Sequence, residues 1–313
     1  MSTRPTLLMV VPLAWSGLWL PHLSEANLNV LVHGRDSYKS EDIDYVLGFR
    51  PQPGFLKTLP NLKTIYSLGA GVDGFLIDPD FPKQIPLVRF VDPQLSTEMA
   101  QYVVMHVLLQ HRHAKAFDET QKQSKWAQMM LPRKTADTRI GILGFGEIGT
   151  MAGERLRDLG FPVSGWSHSR KQVDSIKSYA GEDEFAAFMG ASDFLICLLP
   201  LTDDTRGILN AKTFAMLPKA SYVINVARGG HLIEDDLIAA IDAGHLAGAT
   251  LDVFQTEPLP PTSPLWKHPR IVITPHVAAI SDPRVAANFV IDGIARAERG
   301  EKHPNTVDMG RGY

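Results

Sequence analysis

One cysteine among 313 residues, Cys197, rules out an internal disulfide. It sits in the apolar run Phe194-Leu195-Ile196-Cys197-Leu198-Leu199, where a thiol reads as a small core residue rather than a nucleophile. No stretch is long and apolar enough to span a bilayer, which argues against a membrane partner. The net charge is −3 with 21% charged residues, so there is no global positive field to gather nucleic acid. Blocks of like charge, short-period repeats and low-complexity segments are absent as well. The His-containing segment Gln110-His111-Arg112-His113 has no carboxylate or Cys cluster at ligand spacing, so it reads as solvated surface and no metal site is expected. Near the N-terminus, Arg4 followed by the apolar run Leu7 to Leu20 resembles a short secretory signal. Pro12 interrupts that run, and no small-residue cleavage site follows Pro21. The preferred reading is a buried first strand, Thr6 to Val11, leading into a loop. With the lone cysteine, this gives a cytoplasmic expectation.

What remains is a chain 44% hydrophobic and large enough for two domains. Apolar β-rich runs alternate with helical patterns, as in parallel strands buried on both faces. Leu7–Val11, Leu28–Val32, Tyr45–Gly48, Thr64–Ser67 and Leu87–Phe90 make a first strand set. A long helical pattern follows, with Ser96 as its expected N-cap and Ala100, Val103, Val104, Val107 and Leu108 as its apolar stripe. The second set is Arg139–Leu143, Val163–Trp166, Phe194–Leu198, Tyr222–Val226, Gly248–Val253 and Ile271–Thr274, with helices such as Glu234 to Ala243 between. Beyond Pro283 a helical pattern runs to about Gly300 and is expected to return to the first domain. The fold class is therefore α/β, with two doubly wound, Rossmann-like parallel-sheet domains and a cleft between them. The expected boundaries are 1–98 plus 282–313 for a substrate domain and 99–281 for a dinucleotide domain.

Gly144-Phe145-Gly146-Glu147-Ile148-Gly149 is a G-x-G-x-x-G run that follows a strand and opens a helix. Gly144 permits the tight turn, Gly146 lets backbone approach a pyrophosphate, and Gly149 lets helix pack on strand. Where an NAD site places a carboxylate, this chain has Ser167-His168-Ser169-Arg170-Lys171. Hydroxyls and a guanidinium suit a 2′-phosphate, which a carboxylate would repel. NADPH/NADP is the expected cofactor, with NADH a weaker donor. Leu199, Pro200, Val226, Ala227 and Ala278, at or beside strand ends, complete the candidate cofactor set with Asp252.

Three segments end strands of the second set: Asn225-Val226-Ala227-Arg228-Gly229-Gly230, Leu251-Asp252-Val253-Phe254 running on to Glu257-Pro258, and Thr274-Pro275-His276-Val277-Ala278-Ala279. Ligands meet the carboxyl ends of strands in open α/β sheets, so Arg228, Glu257 and His276 are candidates to converge. With Ser67-Leu68-Gly69-Ala70-Gly71-Val72-Asp73, Glu234-Asp235-Asp236-Leu237, Glu257-Pro258-Leu259-Pro260-Pro261 and Ser263-Pro264-Leu265-Trp266, the chain resembles the D-isomer-specific 2-hydroxyacid dehydrogenase family, in its glyoxylate/hydroxypyruvate reductase A branch.

The resemblance implies an Arg–Glu–His catalytic set at Arg228, Glu257 and His276. In that set His276 gives a proton to the keto oxygen, Glu257 orients its ring, and Arg228 binds the substrate carboxylate and polarises the carbonyl. It places Asp252 near the nicotinamide amide. It also gives the backbone of Ala70 and Gly71 to the substrate carboxylate, alongside Arg228 and His276, and predicts a homodimer joined through the cofactor domain. Phe49-Arg50-Pro51 departs from the Trp-containing loop of close relatives, which leaves the substrate open between small 2-keto acids and larger ones such as phenylpyruvate. A non-catalytic cofactor sensor on the same fold is the third reading. Trp126 and Met129-Met130 are read as core, with a pocket or subunit interface as the alternative.

Overall fold

The computed structural model describes residues 4–130 and 133–310. The ends of the expected first domain, 1–3 and 311–313, and residues 131–132 of the second lie outside the described residues. Two compact units are present. One runs to Pro93 and resumes at Ser281; the other is Gln94 to Ile280.

The first unit begins with β1 (Thr6–Val10), α1 (Leu13–Leu23), β2 (Asn29–Val32), β3 (Tyr45–Gly48), β4 (Thr64–Ser67), α2 (Asp73–Leu76) and β5 (Leu87–Val88). Its strands pair in parallel in the order β2-β1-β3-β4-β5. Both faces are covered, so alternate residues enter different cores. Leu7 and Met9 join Tyr45 and Tyr66 on one side; Leu8 and Val10 join Val46 and Ile65 on the other.

The loop expected after β1 is instead the helix α1. Pro12 occupies its N-cap position and Pro21 lies in its last turn. Pro21 lacks the N–H that would bond the carbonyl of residue 17, and Gly17 is exposed. Trp19 and Leu23 are buried while Leu13, Trp15 and Leu18 face outward. Apolar residues all round the helix leave no 3.6-residue period to read.

The second unit contains α3 (Pro93–His111), α4 (Ala114–Lys122), β6 (Ile140–Leu143), α5 (Glu147–Asp158), β7 (Val163–Ser167), β8 (Lys177–Ala180), α6 (Phe185–Gly190), β9 (Phe194–Cys197), α7 (Ala211–Phe214), β10 (Ser221–Asn225), α8 (Glu234–Asp242), β11 (Leu246–Leu251) and β12 (Ile271–Ile273). The final helix, α9 (Pro283–Glu298), belongs to the first unit. Helix α3 starts three residues before Ser96, which is buried within its first turn and is not its cap. Asp282 does cap α9, accepting the N–H groups of Arg284 and Val285 at 2.9 and 3.0 Å, with Pro283 at the first helical position.

Among the described residues of the second unit seven strands pair in parallel, in the order β12-β11-β10-β9-β6-β7-β8. The strand order reverses between β6 and β9, and such a switch point opens a crevice at the strands' carboxyl ends. Strand β8, absent from the sequence reading, extends the sheet past β7. Cys197 has no exposed surface, and burial pushes its thiol up to about 12, which fits an inert core residue. His111, expected on the solvated surface, is buried against the Phe161 ring with Nε2 3.3 Å from the Thr135 hydroxyl.

One buried charge ties β6 to β9. Asp193 is 6% exposed and takes a bidentate pair from Arg139, at 2.9 Å for each contact, plus the Arg139 N–H and the Arg133 guanidinium. Burial alone would raise its pKa; the two arginines and the backbone N–H outweigh it and hold the carboxyl at about 2, below the ordinary 3.8. A depressed carboxylate pKa contributes stability above the unfolded value, and that contribution is lost as pH falls through the folded one. The increment is about 2 kcal/mol. Asp193→Asn should therefore lower the urea midpoint at pH 7 and flatten the loss of stability between about pH 4 and pH 2. An unchanged acid limb would assign that slope to other carboxylates.

Candidate active site

Strand β6 delivers the glycine loop. Gly144 has φ 104°, and its N–H and that of Phe145 both donate to the Trp166 carbonyl at 3.0 Å. A Cβ on Gly149 would lie 2.2 Å from the Gly144 carbonyl oxygen, whereas a Cβ on Gly146 meets nothing within 4 Å. The first close approach joins helix to strand; the open space at Gly146 lies at the N-terminus of α5, where no side chain caps the N–H groups. Open room beside unpaired helix-terminal donors suits an anion such as a pyrophosphate. Phe145 is fully buried in the core, so it offers the loop only backbone; Glu147 is exposed and Ile148 partly buried. Leu199, Val226, Ala227 and Ala278 are buried, and Pro200 is exposed.

Beyond β7, His168, Ser169, Arg170 and Lys171 are exposed. Ser167 Oγ donates to the Ser169 carbonyl at 2.8 Å, and the Lys171 N–H donates to Ser178 Oγ at 2.9 Å. Arg170 donates to the Ser178 carbonyl at 2.5 Å and pairs with Glu184 at 2.6 Å. The carboxylate missing from the strand end is thus supplied from residue 184. Glu184 also accepts the Ala180 N–H, and that bond, with Arg170 second, lowers its pKa.

At the end of β10, the Asn225 side chain accepts the Ala227 N–H at 3.2 Å and donates to the Arg228 carbonyl at 3.1 Å. Asn225 so fixes the backbone on which Arg228 stands. Arg228 Nη1 donates to the Ala227 carbonyl at 2.6 Å. His231, which the sequence reading passed over, is fully buried, with its ring nitrogens 3.1 and 3.2 Å from the Arg228 and Pro200 carbonyls. A Cβ on Gly229 would fall 1.8 Å from the Phe254 carbonyl carbon, so this turn lies hard against the segment after β11.

That segment carries Glu257. Its Oε1 accepts the Phe254 N–H at 3.0 Å, and its Oε2 meets His276 Nδ1 at 2.9 Å. Glu257 is mostly buried and His276 partly so, at 19% and 35% side-chain exposure, which limits water's competition for the pair. With Glu257 accepting the hydrogen bond from Nδ1–H, Nε2 is the ring nitrogen left to exchange a proton with a ligand. His276 adopts φ 57°, the left-handed region, held by the loop that follows β12. The structure thus brings Glu257 and His276 together and lays the Arg228 turn against the segment that carries Glu257.

Asp252, 1% exposed, accepts the Thr274 hydroxyl and the N–H groups of Val277 and Ala278. In the first unit, Ser67 Oγ accepts the Gly69 N–H at 3.3 Å and donates to the Gly71 carbonyl at 3.2 Å. The N–H groups of Ala70 and Gly71 meet no acceptor among the described residues. Nearby, the Arg50 guanidinium lies over Phe49, whose ring is 5.4 Å from that of Trp15.

Residues 104–278 match the model of the D-isomer specific 2-hydroxyacid dehydrogenase NAD binding domain. The chain is 40% identical over 300 residues to glyoxylate/hydroxypyruvate reductase A of Serratia proteamaculans, covering 94% of this chain and 96% of that protein. The chain belongs to the D-isomer specific 2-hydroxyacid dehydrogenase family. Its fold agrees with a family member from Xanthobacter autotrophicus Py2 in complex with NADPH and MES, at TM-score 0.91 and 38% identity over 99% of this chain and 100% of that one. An NADPH-dependent glyoxylate/hydroxypyruvate reductase of Sinorhizobium meliloti, in complex with NADP and sulfate, matches at TM-score 0.91 and 37% identity, with the same coverage. No helix among the described residues of this dehydrogenase is long and apolar enough to cross a membrane.

Two glycines of the loop should respond differently to a methyl group. Gly149→Ala forces the α5 backbone off β6 and should lower the thermal midpoint by the equivalent of about 1–3 kcal/mol. Gly146→Ala should keep the midpoint and weaken dinucleotide binding tenfold or more, read by nicotinamide fluorescence. Unchanged binding in Gly146→Ala would make the open space an ordinary turn.

Proposed function

We propose that this dehydrogenase is an NADP(H)-dependent reductase that converts small 2-keto acids, glyoxylate and hydroxypyruvate, to 2-hydroxy acids. The observation that carries the chemistry is the 2.9 Å contact of Glu257 with His276 Nδ1. The substrate and cofactor follow the relatives named above.

Gly144, Gly146 and Gly149, with the amides that open α5, hold the pyrophosphate. Ser167, His168, Ser169, Arg170 and Lys171 would hold the 2′-phosphate, and Leu199, Pro200, Val226, Ala227, Asp252 and Ala278 would bound the rest of the cofactor. When bound, the dinucleotide supplies the hydride that the keto carbon takes up. His276 gives its Nε2 proton to the keto oxygen, so that the carbonyl becomes a secondary alcohol. Glu257 holds the ring so that this edge faces the ligand. Arg228 binds the carboxylate and stabilises the charge that develops on oxygen. The amides of Ala70 and Gly71, which meet no acceptor among the described residues, are proposed as a backbone anion site for the substrate carboxylate.

A homodimer through the cofactor unit and a cytoplasmic setting belong to the same reading. Trp126 and Met130, expected as core, are 91% and 92% exposed. Such apolar side chains in water are the surface proposed for the second subunit.

Initial-rate assays with NADPH and NADH against glyoxylate, hydroxypyruvate, pyruvate and phenylpyruvate test the activity. Fast NADPH turnover of the first two is expected, and His276→Gln should reduce kcat about 10²- to 10⁴-fold with dinucleotide affinity retained. Turnover of phenylpyruvate alone would move the protein to larger substrates, and tight cofactor binding without any turnover would make it a sensor.

Arg170 and Glu184 test the phosphate site separately. Arg170→Ala should raise the KM for NADPH at least tenfold and leave that for NADH nearly unchanged. Glu184→Gln should lower the KM for NADPH about two- to fivefold, because an exposed pair offers modest competition. Equal effects on both cofactors would remove the 2′-phosphate role from Arg170.

A further inference from the structure

A hydrogen-bond chain reaches from α3 to the loop that carries His276. The Thr274 hydroxyl donates to Asp252 Oδ1 at 2.6 Å. A hydroxyl has one proton to give, so the 2.5 Å contact between the Tyr102 hydroxyl and Thr274 Oγ1 runs from tyrosine to threonine. Asp252 then brackets His276. Its carbonyl accepts the His276 N–H at 2.8 Å, and its carboxylate accepts those of Val277 and Ala278 at 2.9 Å each.

Every link is protected from water or nearly so: Tyr102 and Asp252 are buried, and Thr274 is partly buried. Burial raises the Tyr102 phenol well above its ordinary value, so it keeps the proton that it donates. The Tyr102 ring lies against that of His106, centroids 4.3 Å apart, and burial lowers the His106 pKa, so this imidazole stays neutral beside the chain. The ring of Tyr102 therefore has packing of its own, separate from what its hydroxyl does.

We propose that Tyr102 is a positioning residue for the proton donor: through Thr274 and Asp252 its hydroxyl fixes the backbone on both sides of His276 and hence the direction of Nε2. This rests on the reading that His276 delivers the proton. The Val277 N–H holds Oδ1 and the Ala278 N–H holds Oδ2, and the Thr274 hydroxyl adds a second, shorter bond at Oδ1. Thr274 pins that oxygen, and Tyr102 pins Thr274 in the rotamer that reaches it. The left-handed backbone at His276 needs such a hold, since the relaxed alternative turns the ring elsewhere.

Tyr102→Phe keeps the ring and removes only the hydroxyl. Its kcat should fall about 10- to 100-fold, the scale set by small misplacement of a reacting group. Dinucleotide Kd and the KM for the keto acid should stay within about twofold of wild type. Amide hydrogen exchange at Val277 and Ala278, measured on the protein alone, should accelerate. Thr274→Val should match Tyr102→Phe, the double variant should be no worse than Thr274→Val, and Thr274→Ser, which restores the hydroxyl, should recover most of kcat. An unchanged kcat in Tyr102→Phe, or losses that multiply in the double variant, would overturn the chain. Should Thr274→Val fail to fold, Tyr102→Phe and Thr274→Ser still decide the matter. His276→Gln, assayed alongside, separates the two levels. Normal turnover there removes the proton-donor role, whereas loss there with a normal Tyr102→Phe removes the positioning role alone.

Discussion

The carboxylate of Asp252, at the end of β11, makes one constellation out of three strand ends. Its backbone N–H donates to the Asn225 carbonyl at the end of β10, and its side chain gathers the loop after β12. Parallel strands leave their carboxyl ends side by side but impose nothing on the loops that follow. A buried charge does impose something, because every acceptor site taken from water must be filled by a fixed donor. The loop carrying His276 is the source of all three of those donors.

Magnitudes show why this brace can hold an unfavourable backbone. A non-glycine residue in the left-handed region costs about 1–3 kcal/mol. A hydrogen bond to a charged group contributes about 1.5–3 kcal/mol, and Asp252 accepts three. The sum exceeds the cost, so the φ of 57° at His276 is maintained without help from a ligand. The backbone that carries the ring is thereby set before any ligand arrives.

What could be read in the sequence follows from the range of the interactions. Tyr45–Gly48 and Thr64–Ser67 are strands within the bounds expected, because apolar runs buried on both faces write themselves into consecutive residues. The glycine loop is legible for a similar reason: strand, turn and helix are contiguous. By contrast, β8 is Lys177-Ser178-Tyr179-Ala180, an edge strand with one buried residue, and it exists through its pairing with β7. Helix α1 lacks a periodic stripe, and His111 is buried in the middle of a polar run. The contact of Glu257 with His276 spans 19 residues, and that of Tyr102 with Thr274 spans 172. Strand-end position marks Glu257 and His276 as candidates to converge and family resemblance pairs them, whereas nothing local marks Tyr102 and Thr274 as partners.

The pairing of Arg170 with Glu184 shows how a feature invisible at the motif level changes the chemistry expected of it. From Ser167 to Lys171 the loop reads as a cationic site with no opposing charge. In the fold, Glu184 takes one side of the guanidinium and the Ala180 N–H as well. The pair is exposed, so solvent and salt weaken it, and a doubly charged phosphate with several acceptor oxygens competes well for the same donors. Glu184 also keeps Arg170 extended along the edge beside β8, which limits the conformations lost when a ligand binds. On the proposed 2′-phosphate reading the carboxylate acts in both directions: it competes with the phosphate for Arg170 and it holds Arg170 beside β8. Glu184→Gln removes the charge and, with one acceptor oxygen in place of two, keeps only one of the bonds to Arg170 and Ala180, so it weakens the competing effect and the orienting one together.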